Sequence, residues 1–270
     1  MKMIKDQLGR EFSVSKNPKR IISLVPSQTE LLCDLNLENE LIGITKFCVH
    51  PYQLKSTKTI VGGTKKVDFD KIKALNPDFI LCNKEENTYD FLPELEKIAP
   101  TYFSDIITIQ DSIDFILSLG TILNRRTESQ NLVEKIHFKL LDFKEFIKTK
   151  PTRKVAYFIW AKPWMVAGNE TYINQMLQLN KFENIYQNMS RYPKVDISKI
   201  RYEGDPEVII LSSEPFPFKD EHAVEISTFT NRSITVFADG EMFSWHGSRL
   251  LLAFGYFKAL HKKLDSHFYI

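Results

Sequence analysis

Phe69-Asp70-Lys71-Ile72-Lys73-Ala74-Leu75-Asn76-Pro77-Asp78-Phe79-Ile80 and Ile197-Ser198-Lys199-Ile200-Arg201-Tyr202-Glu203-Gly204-Asp205-Pro206-Glu207-Val208-Ile209 state one pattern twice. Each spells a short helix, a Pro-acidic turn and an apolar strand. The two copies fall near the same relative place in each half of the chain. Two like α/β halves are expected to close around a cleft, and a ligand is to be sought there.

Outward from the first copy, Lys19 to Val25 (KRIISLV) reads as a buried strand bounded by Pro18 and Pro26. Ser27-Gln28-Thr29-Glu30 fits a capping box ahead of Leu31, Leu32 and Leu35. Strands follow at 41–45, 79–82 and 101–103, with helices near 28–36, 68–75, 88–98 and 111–123. This alternation predicts a parallel sheet. Residues 127–149 carry Leu132, Val133, Ile136, Leu140, Phe143 and Ile147 at helical spacing, with Thr127 and Gln130 as a second capping box. At 1.5 Å per residue that helix is about 33 Å long, a stiff joint that predicts small hinge motion. The second half repeats the pattern: strands at 155–160, 208–211 and 234–238, and helices at 172–179, 197–202 and 247–261. The expected fold class is α/β, two Rossmann-like lobes with parallel sheets joined by one long backbone helix. The expected divisions are 1–126, 127–150 and 151–270.

The chain has 270 residues, 43% of them hydrophobic and 26% charged, the composition of a globular protein. A formal net charge of +2 provides no field to draw nucleic acid or anionic lipid. No stretch approaches 18 apolar residues, so no membrane span is expected. Cys33, Cys48 and Cys82 form no CxxC and no paired spacing, as free thiols in a reducing compartment do. Met1 to Lys19 is polar and has no apolar leader core. Together these features predict a cytoplasmic monomer, with a periplasmic location as the alternative if a leader has been removed.

The chain resembles the substrate-binding proteins of ABC importers whose lobes are joined by a single backbone helix. The resemblance runs from Lys19 to Leu264 and is carried by KRIISLVPSQTELLCDL (19–35), ELIGITKFCVHP (40–51), VGGTKKVDFDKIKALNPDFILCNKEEN (61–87), MVAGNETYINQML (165–177) and RYPKVDISKI (191–200). It implies a solute-binding protein, not an enzyme. The implied ligand is a metal chelate (a corrinoid, haem or a ferric siderophore) carried as cargo rather than as an intrinsic cofactor. The implied partner is an ABC permease. The family's ligand aromatic after the second strand matches Phe47. Its two tryptophans, before the first repeated helix and after the third strand, fall on Thr64 and Asn83. The cleft aromatic before the second repeated helix falls on Tyr192. An apolar contact matches Met165, with Trp160 and Trp164 beside it, and a polar contact before the last helix falls on Glu241. Of the two docking acids that face the permease, Asp70 matches one, and Ser198 occupies the place of the other.

Read as chemistry, several segments are candidates. Asn83-Lys84-Glu85-Glu86-Asn87 is a polar cluster at a strand's carboxyl end, suited to a ligand or a hard cation, or to a solvated helix start. Trp160-Ala161-Lys162-Pro163-Trp164 is a stacking surface or lobe packing. Trp245 and His246 crowd the loop before the last helix. His246, like His50, could ligate a metal, and Arg249 could pair with a ligand anion or close a structural salt bridge. Cys48 with His50 or His246 would serve an intracellular cofactor- or metal-handling protein or enzyme on the same scaffold. His50, Glu85, Glu241 and His246 would serve direct Zn or Mn binding. Gly62-Gly63-Thr64-Lys65-Lys66 lacks the spacing of a phosphate loop, and an ATP site is excluded.

Overall fold

The computed structural model describes residues 1–268, so the last two residues of the expected third division lie outside the described residues. The chain forms two compact units. Unit 1 takes Met1–Ile136 together with His246–Arg249. Unit 2 takes His137–Trp245 and the residues from Leu250 on.

Unit 1 is built on a parallel sheet in the order β5-β4-β3-β6-β7: Thr59–Ile60, Leu41–Ile44, Ile21–Ser23, Phe79–Asn83 and Thr101–Ser104. Its helices are α1 (Pro26–Asp34), α2 (Leu54–Thr57), α3 (Phe69–Ala74), α4 (Leu92–Glu96) and α5 (Ile109–Ile122). Ile22, Leu24, Val61, Ile72, Ile80, Cys82 and Phe103 pack one face of the sheet. The polar start of the chain is an antiparallel hairpin, β1 (Lys2–Lys5) with β2 (Glu11–Val14). The buried Asp6 carboxylate fixes its turn, accepting from the Leu8 and Arg10 amides at 3.0 Å each and from the Phe103 amide at 3.2 Å.

The long helix α6 (Arg126–Lys148) begins in unit 1 and ends in unit 2. Unit 2 carries the sheet β10-β8-β11-β12: Phe182–Asn184, Arg153–Trp160, Val208–Ser212 and Ile234–Ala238, all parallel, with β9 (Met165–Val166) antiparallel on β8. Its remaining helices are α7 (Tyr172–Leu179), α8 (Ile200–Glu203), α9 (Asp220–Ser227), α10 (Gly240–Ser244) and α11 (Leu250–Phe268). Ala156, Phe158, Trp164, Val166, Ile209 and Leu211 form the core of one face.

The repeated motif has one physical explanation in both units. Asp68 caps α3 by accepting from the Lys71 amide, and Asp196 caps its counterpart by accepting from the Ser198 amide. Asn76 and Asp205, each directly before a proline, adopt φ +45. A following proline disfavours the right-handed helical region, and Asn and Asp tolerate the left-handed one better than most residues. The acid after the proline then binds the first strand of its sheet. Asp78 accepts from the Lys19 and Arg20 amides at 2.8 and 2.9 Å, and Glu207 accepts from the Lys154 amide at 2.8 Å. Each hook sets the register of a neighbouring parallel pair, β3 with β6 and β8 with β11.

Several sequence expectations need correction. The Ser27–Glu30 capping box does not form: α1 starts at Pro26 with Val25 as an uncapped N-cap, because the Glu30 carboxylate is held by Arg249 at 2.7 and 3.0 Å. The long helix starts at Arg126, ahead of the Thr127 cap expected for it. The final helix starts at Leu250, after a 3-10 turn at Gly247–Arg249. That turn belongs to unit 1, where the Gly247 amide donates to Ser112 Oγ at 2.9 Å and His246 Nε2 lies 3.4 Å from Ser27 Oγ. The second copy of the repeated helix is a 3-10 turn (Ile197–Lys199) running into the single turn of α8.

Two predictions follow from these packing details. Asn76→Ala and Asp205→Ala should each lose about 1 kcal/mol in urea unfolding and Asn76→Gly should not, since only a Cβ without a polar tip is penalised there. Equal midpoints for the alanine and glycine variants would contradict this account. Burial lowers the His246 pKa to about 3 and that of His261 to about 4. The native imidazoles therefore refuse protons that the unfolded chain takes up below about pH 6.5, and stability falls as pH drops from 7 toward 4. At pH 5 the His246 share is about 2 kcal/mol, so His246→Asn should shrink the pH 7-to-5 difference in unfolding free energy by that amount.

Candidate functional site

In each unit the parallel strands end at one edge, and the loops that leave this edge carry most of the candidate residues. In unit 1 the loop after β4 presents Phe47, which is 49% exposed, with the Lys46 ammonium 5.0 Å from its ring centroid. The turn at 62–66 packs beside it. Gly62 sits at φ +118, where a Cβ would lie 2.6 Å from the Lys66 carbonyl oxygen, and the Gly63 amide donates to that same oxygen at 2.8 Å. No side chain fits at position 62, so the turn depends on glycine there. Thr64 is buried within this turn, and Lys65 reaches from it to the Glu85 carbonyl at 2.6 Å.

The loop after β6 is braced from beneath. Asn83 is 3% exposed, and its carboxamide is committed to the protein. Its Oδ1 accepts from the Glu85 and Glu86 amides at 2.8 and 3.1 Å, and its Nδ2 donates to Ser104 Oγ at 2.8 Å. Ser104 Oγ also receives Gln28 Nε2 at 2.7 Å. Lys84 points outward and pairs with Asp105 at 2.6 Å. Glu85 and Glu86 are half-buried. Desolvation raises the carboxyl pKa of Glu86, Lys65 opposes that rise and Glu85 adds to it. A carboxyl partly stripped of water and close to a cation is suited to a ligand that offers a hydrogen-bond donor.

The cysteine candidate sits where burial disfavours the thiolate. Cys48 is buried between Thr29 Oγ1 at 3.1 Å and Thr45 Oγ1 at 3.3 Å, and burial raises its pKa. A thiol that burial keeps protonated, held between two hydroxyls, is suited to packing. His50 is half-buried. His246 is buried, with its ring edge-on to Phe115 at 5.8 Å, and burial keeps it neutral. Among the described residues no group of three or more His, Cys, Asp and Glu side chains could hold a metal ion. The direct Zn or Mn reading therefore lacks a ligand set.

Unit 2 presents aromatic rings at the corresponding edge. Trp160 ends β8, is 40% exposed, and lies 5.2 Å from the ring of Phe216. Phe216 packs edge-on against Phe218 at 4.9 Å, and Trp164 stacks on Phe218 at 5.8 Å. Trp164 is buried, while Met165 pairs across from Trp160 and is half-buried. Trp160 is thus the exposed tip of a packed aromatic stack, and Trp164 belongs to its base. Tyr192 and Glu241 are half-buried. Trp245 is buried and donates from Nε1 to Glu214 Oε1 at 2.8 Å, an acceptor shared with Ser244 Oγ. Asp70 stands exposed in the first turn of α3, and Ser198 is exposed in unit 2.

Sequence reasoning missed Phe216, Glu214 and the partner of Arg249, and it marked Asn87 as part of a polar cluster without its bracing role. Phe216 and Glu214 sit in Ser213-Glu214-Pro215-Phe216-Pro217-Phe218, directly after β11 and so in the place that 83–87 takes after β6. The repeat itself was the signal for them. The Arg249–Glu30 pair spans the whole chain and leaves no local signal.

A family model described as "Periplasmic binding protein" matches residues 21–235. The chain is 25% identical over 193 residues to an uncharacterised ABC transporter substrate-binding lipoprotein, YvrC, of Bacillus subtilis, covering 67% of this chain and 60% of the relative. It is 27% identical over 198 residues to a vitamin B12-binding protein of Vibrio campbellii, covering 72% and 70%. The fold matches that of the periplasmic vitamin B12-binding protein BtuF of Vibrio cholerae with a TM-score of 0.79 at 20% identity, over 92% of this chain and 98% of that one. The match to the petrobactin-binding protein YclQ of Bacillus subtilis has a TM-score of 0.80 at 18% identity, over 95% and 97%. These matches bear out the resemblance and the fold class. The relatives are binding proteins rather than enzymes, and the enzyme alternative is not favoured.

The cytoplasmic expectation is overturned, because the relatives are lipoproteins or periplasmic proteins, which points to an extracytoplasmic location. The polar start that suggested otherwise is a folded hairpin and says nothing about compartment. Matched over residues 21–235, the chain belongs to the periplasmic binding protein family of solute-binding proteins.

Proposed function

We propose that this chain is the ligand-binding subunit of an ABC importer, that its cargo is a metal chelate with an apolar surface, and that it acts by binding alone. The class comprises corrinoids, haem and ferric siderophores. The carrying observation is the pair of exposed aromatic faces at the carboxyl edges of the sheets, Phe47 in unit 1 and Trp160 in unit 2. An exposed ring backed by a packed layer offers a rigid apolar face at low entropic cost. The names of the relatives favour the same class, vitamin B12 and petrobactin among them. The half-buried Glu85 and Glu86, with Thr64 and Lys84, supply polar contacts beside Phe47. Beside Trp160, Met165 supplies an apolar contact, and Tyr192 and Glu241 supply polar ones. Trp164, Trp245, Asn83 and His246 support these surfaces from below.

Binding without catalysis is favoured by the relatives, which are binding proteins, and by the burial that disfavours a Cys48 thiolate. The chain acts as a monomer and meets its permease through one acidic contact, Asp70, with Ser198 offering a hydroxyl where a second carboxylate would stand. The cargo is transported rather than kept as a resident cofactor.

Thermal unfolding in the presence of cyanocobalamin, cobinamide, haemin and a ferric catecholate siderophore tests this reading. A ligand at about 100 times its Kd stabilises the native state by about 2.7 kcal/mol and raises the midpoint by several degrees. One class should do so, and Phe47→Ala and Trp160→Ala should each weaken its Kd about tenfold, as loss of a stacking face predicts. No shift with any of the four would overturn the ligand class.

A further inference from the structure

The carboxamide of Asn87 joins three separate loops of unit 1. Its Oδ1 accepts from the Asn83 amide at 2.9 Å, at the end of β6. Its Nδ2 donates to the Leu24 carbonyl at 3.1 Å, in the turn between β3 and α1, and to the Thr64 carbonyl at 2.9 Å, in the glycine turn beside Phe47. The side chain is 2% exposed. Every partner is a backbone group, so chemistry alone fixes which end is oxygen and which is nitrogen. The turn that holds Thr64 is tied to the 83–87 loop by this bond and by Lys65 reaching the Glu85 carbonyl, and its Gly63 lies against the ring of Phe47.

We infer that Asn87 is a positioning residue for ligand binding. It does not touch cargo. It locks the 62–66 turn, the start of α1 and the 83–87 loop into one surface, so that Phe47, Glu85 and Glu86 present a fixed face. No other neutral side chain offers the same set at that reach: one acceptor and two diverging donors on a planar group. Aspartate has the same shape but sets an oxygen against the two carbonyls, which removes both donor bonds and adds repulsion in a buried site. The inference rests on the proposal that these loops bind cargo.

The test compares the wild-type protein with Asn87→Asp and with Ile113→Val, a buried change on α5, outside the sequence of the three loops. Cyanocobalamin and haemin are the probes, read by calorimetry, with amide hydrogen exchange read on the unliganded proteins. For the probe that the wild-type protein binds, Asn87→Asp should raise Kd at least tenfold and speed exchange selectively at residues 24–25, 62–66 and 83–87. Ile113→Val should lower the thermal midpoint with no change in Kd or in those amides. If Asn87→Asp does not fold, Asn87→Ser, which keeps one short donor and acceptor, takes its place with a smaller shift in the same direction. Binding within twofold of wild type, or a loss matched by Ile113→Val, overturns the inference. If the wild-type protein binds neither probe, the cargo proposal fails separately. Exchange then decides alone: acceleration confined to the three loops supports the lock, and unchanged loops overturn it.

Discussion

A single carboxylate behind a proline holds each sheet in order. Asp78 grips the amides that open β3, and Glu207 grips the amide that opens the second residue of β8. A parallel pair has no tight turn to set its register, because its strands are joined by long crossovers. The hook supplies that register from the amino end of the sheet. With the amino ends fixed, β3 and β6 stay in register to Ser23 and Leu81, and β8 and β11 to Phe158 and Leu211, so the carboxyl ends of each parallel sheet share one edge. The loops that leave them therefore emerge along one edge, where open α/β sheets place their ligands.

The two edges solve the same problem with different chemistry. In unit 1 the strands end in a polar brace of Gln28, Asn83, Asn87 and Ser104, which satisfies the backbone groups the loops would otherwise strand. In unit 2 the strands end in packed rings, Trp160 on Phe216 and Trp164 on Phe218, with Glu214 holding the Trp245 indole. A polar brace holds Phe47 and two acids in place, and an aromatic layer holds Trp160. The pairing of one apolar face with a few oriented polar groups is what recognition of a large amphiphilic solute requires.

Much of this architecture was legible in the sequence, and the reasons differ from place to place. The strands at 79–82, 208–211 and 234–238 and the helix at 172–179 stood out because apolar runs end at Pro, Asn or Asp, which punctuate the chain locally. The β1–β2 hairpin did not, because its strands are four residues long and mixed in polarity, and its turn depends on Asp6, whose partner Phe103 is far along the chain. The capping box at Ser27–Glu30 was misread for the same reason. A local motif competes with a salt bridge from Arg249, and only the fold reveals the competitor. Within the candidate site, residue type suggested the 83–87 cluster but not its division of labour. Asn83 and Asn87 face inward as braces, whereas the acids between them remain half-buried. Trp245 and His246 carried a strong compositional signal, yet both are buried, since large amphipathic rings serve a core with a single polar partner as readily as they serve a ligand.

Hydrogen exchange on the protein saturated with its cargo bears most directly on the central claim, that the carboxyl-edge loops are the binding surface. The account predicts protection at residues 46–48, 62–66 and 83–87 of unit 1 and at 160–165 and 213–217 of unit 2, with the amino-edge turns at 76–78 and 205–207 unchanged. Protection centred on those amino-edge turns, or on the outer helices, would contradict it.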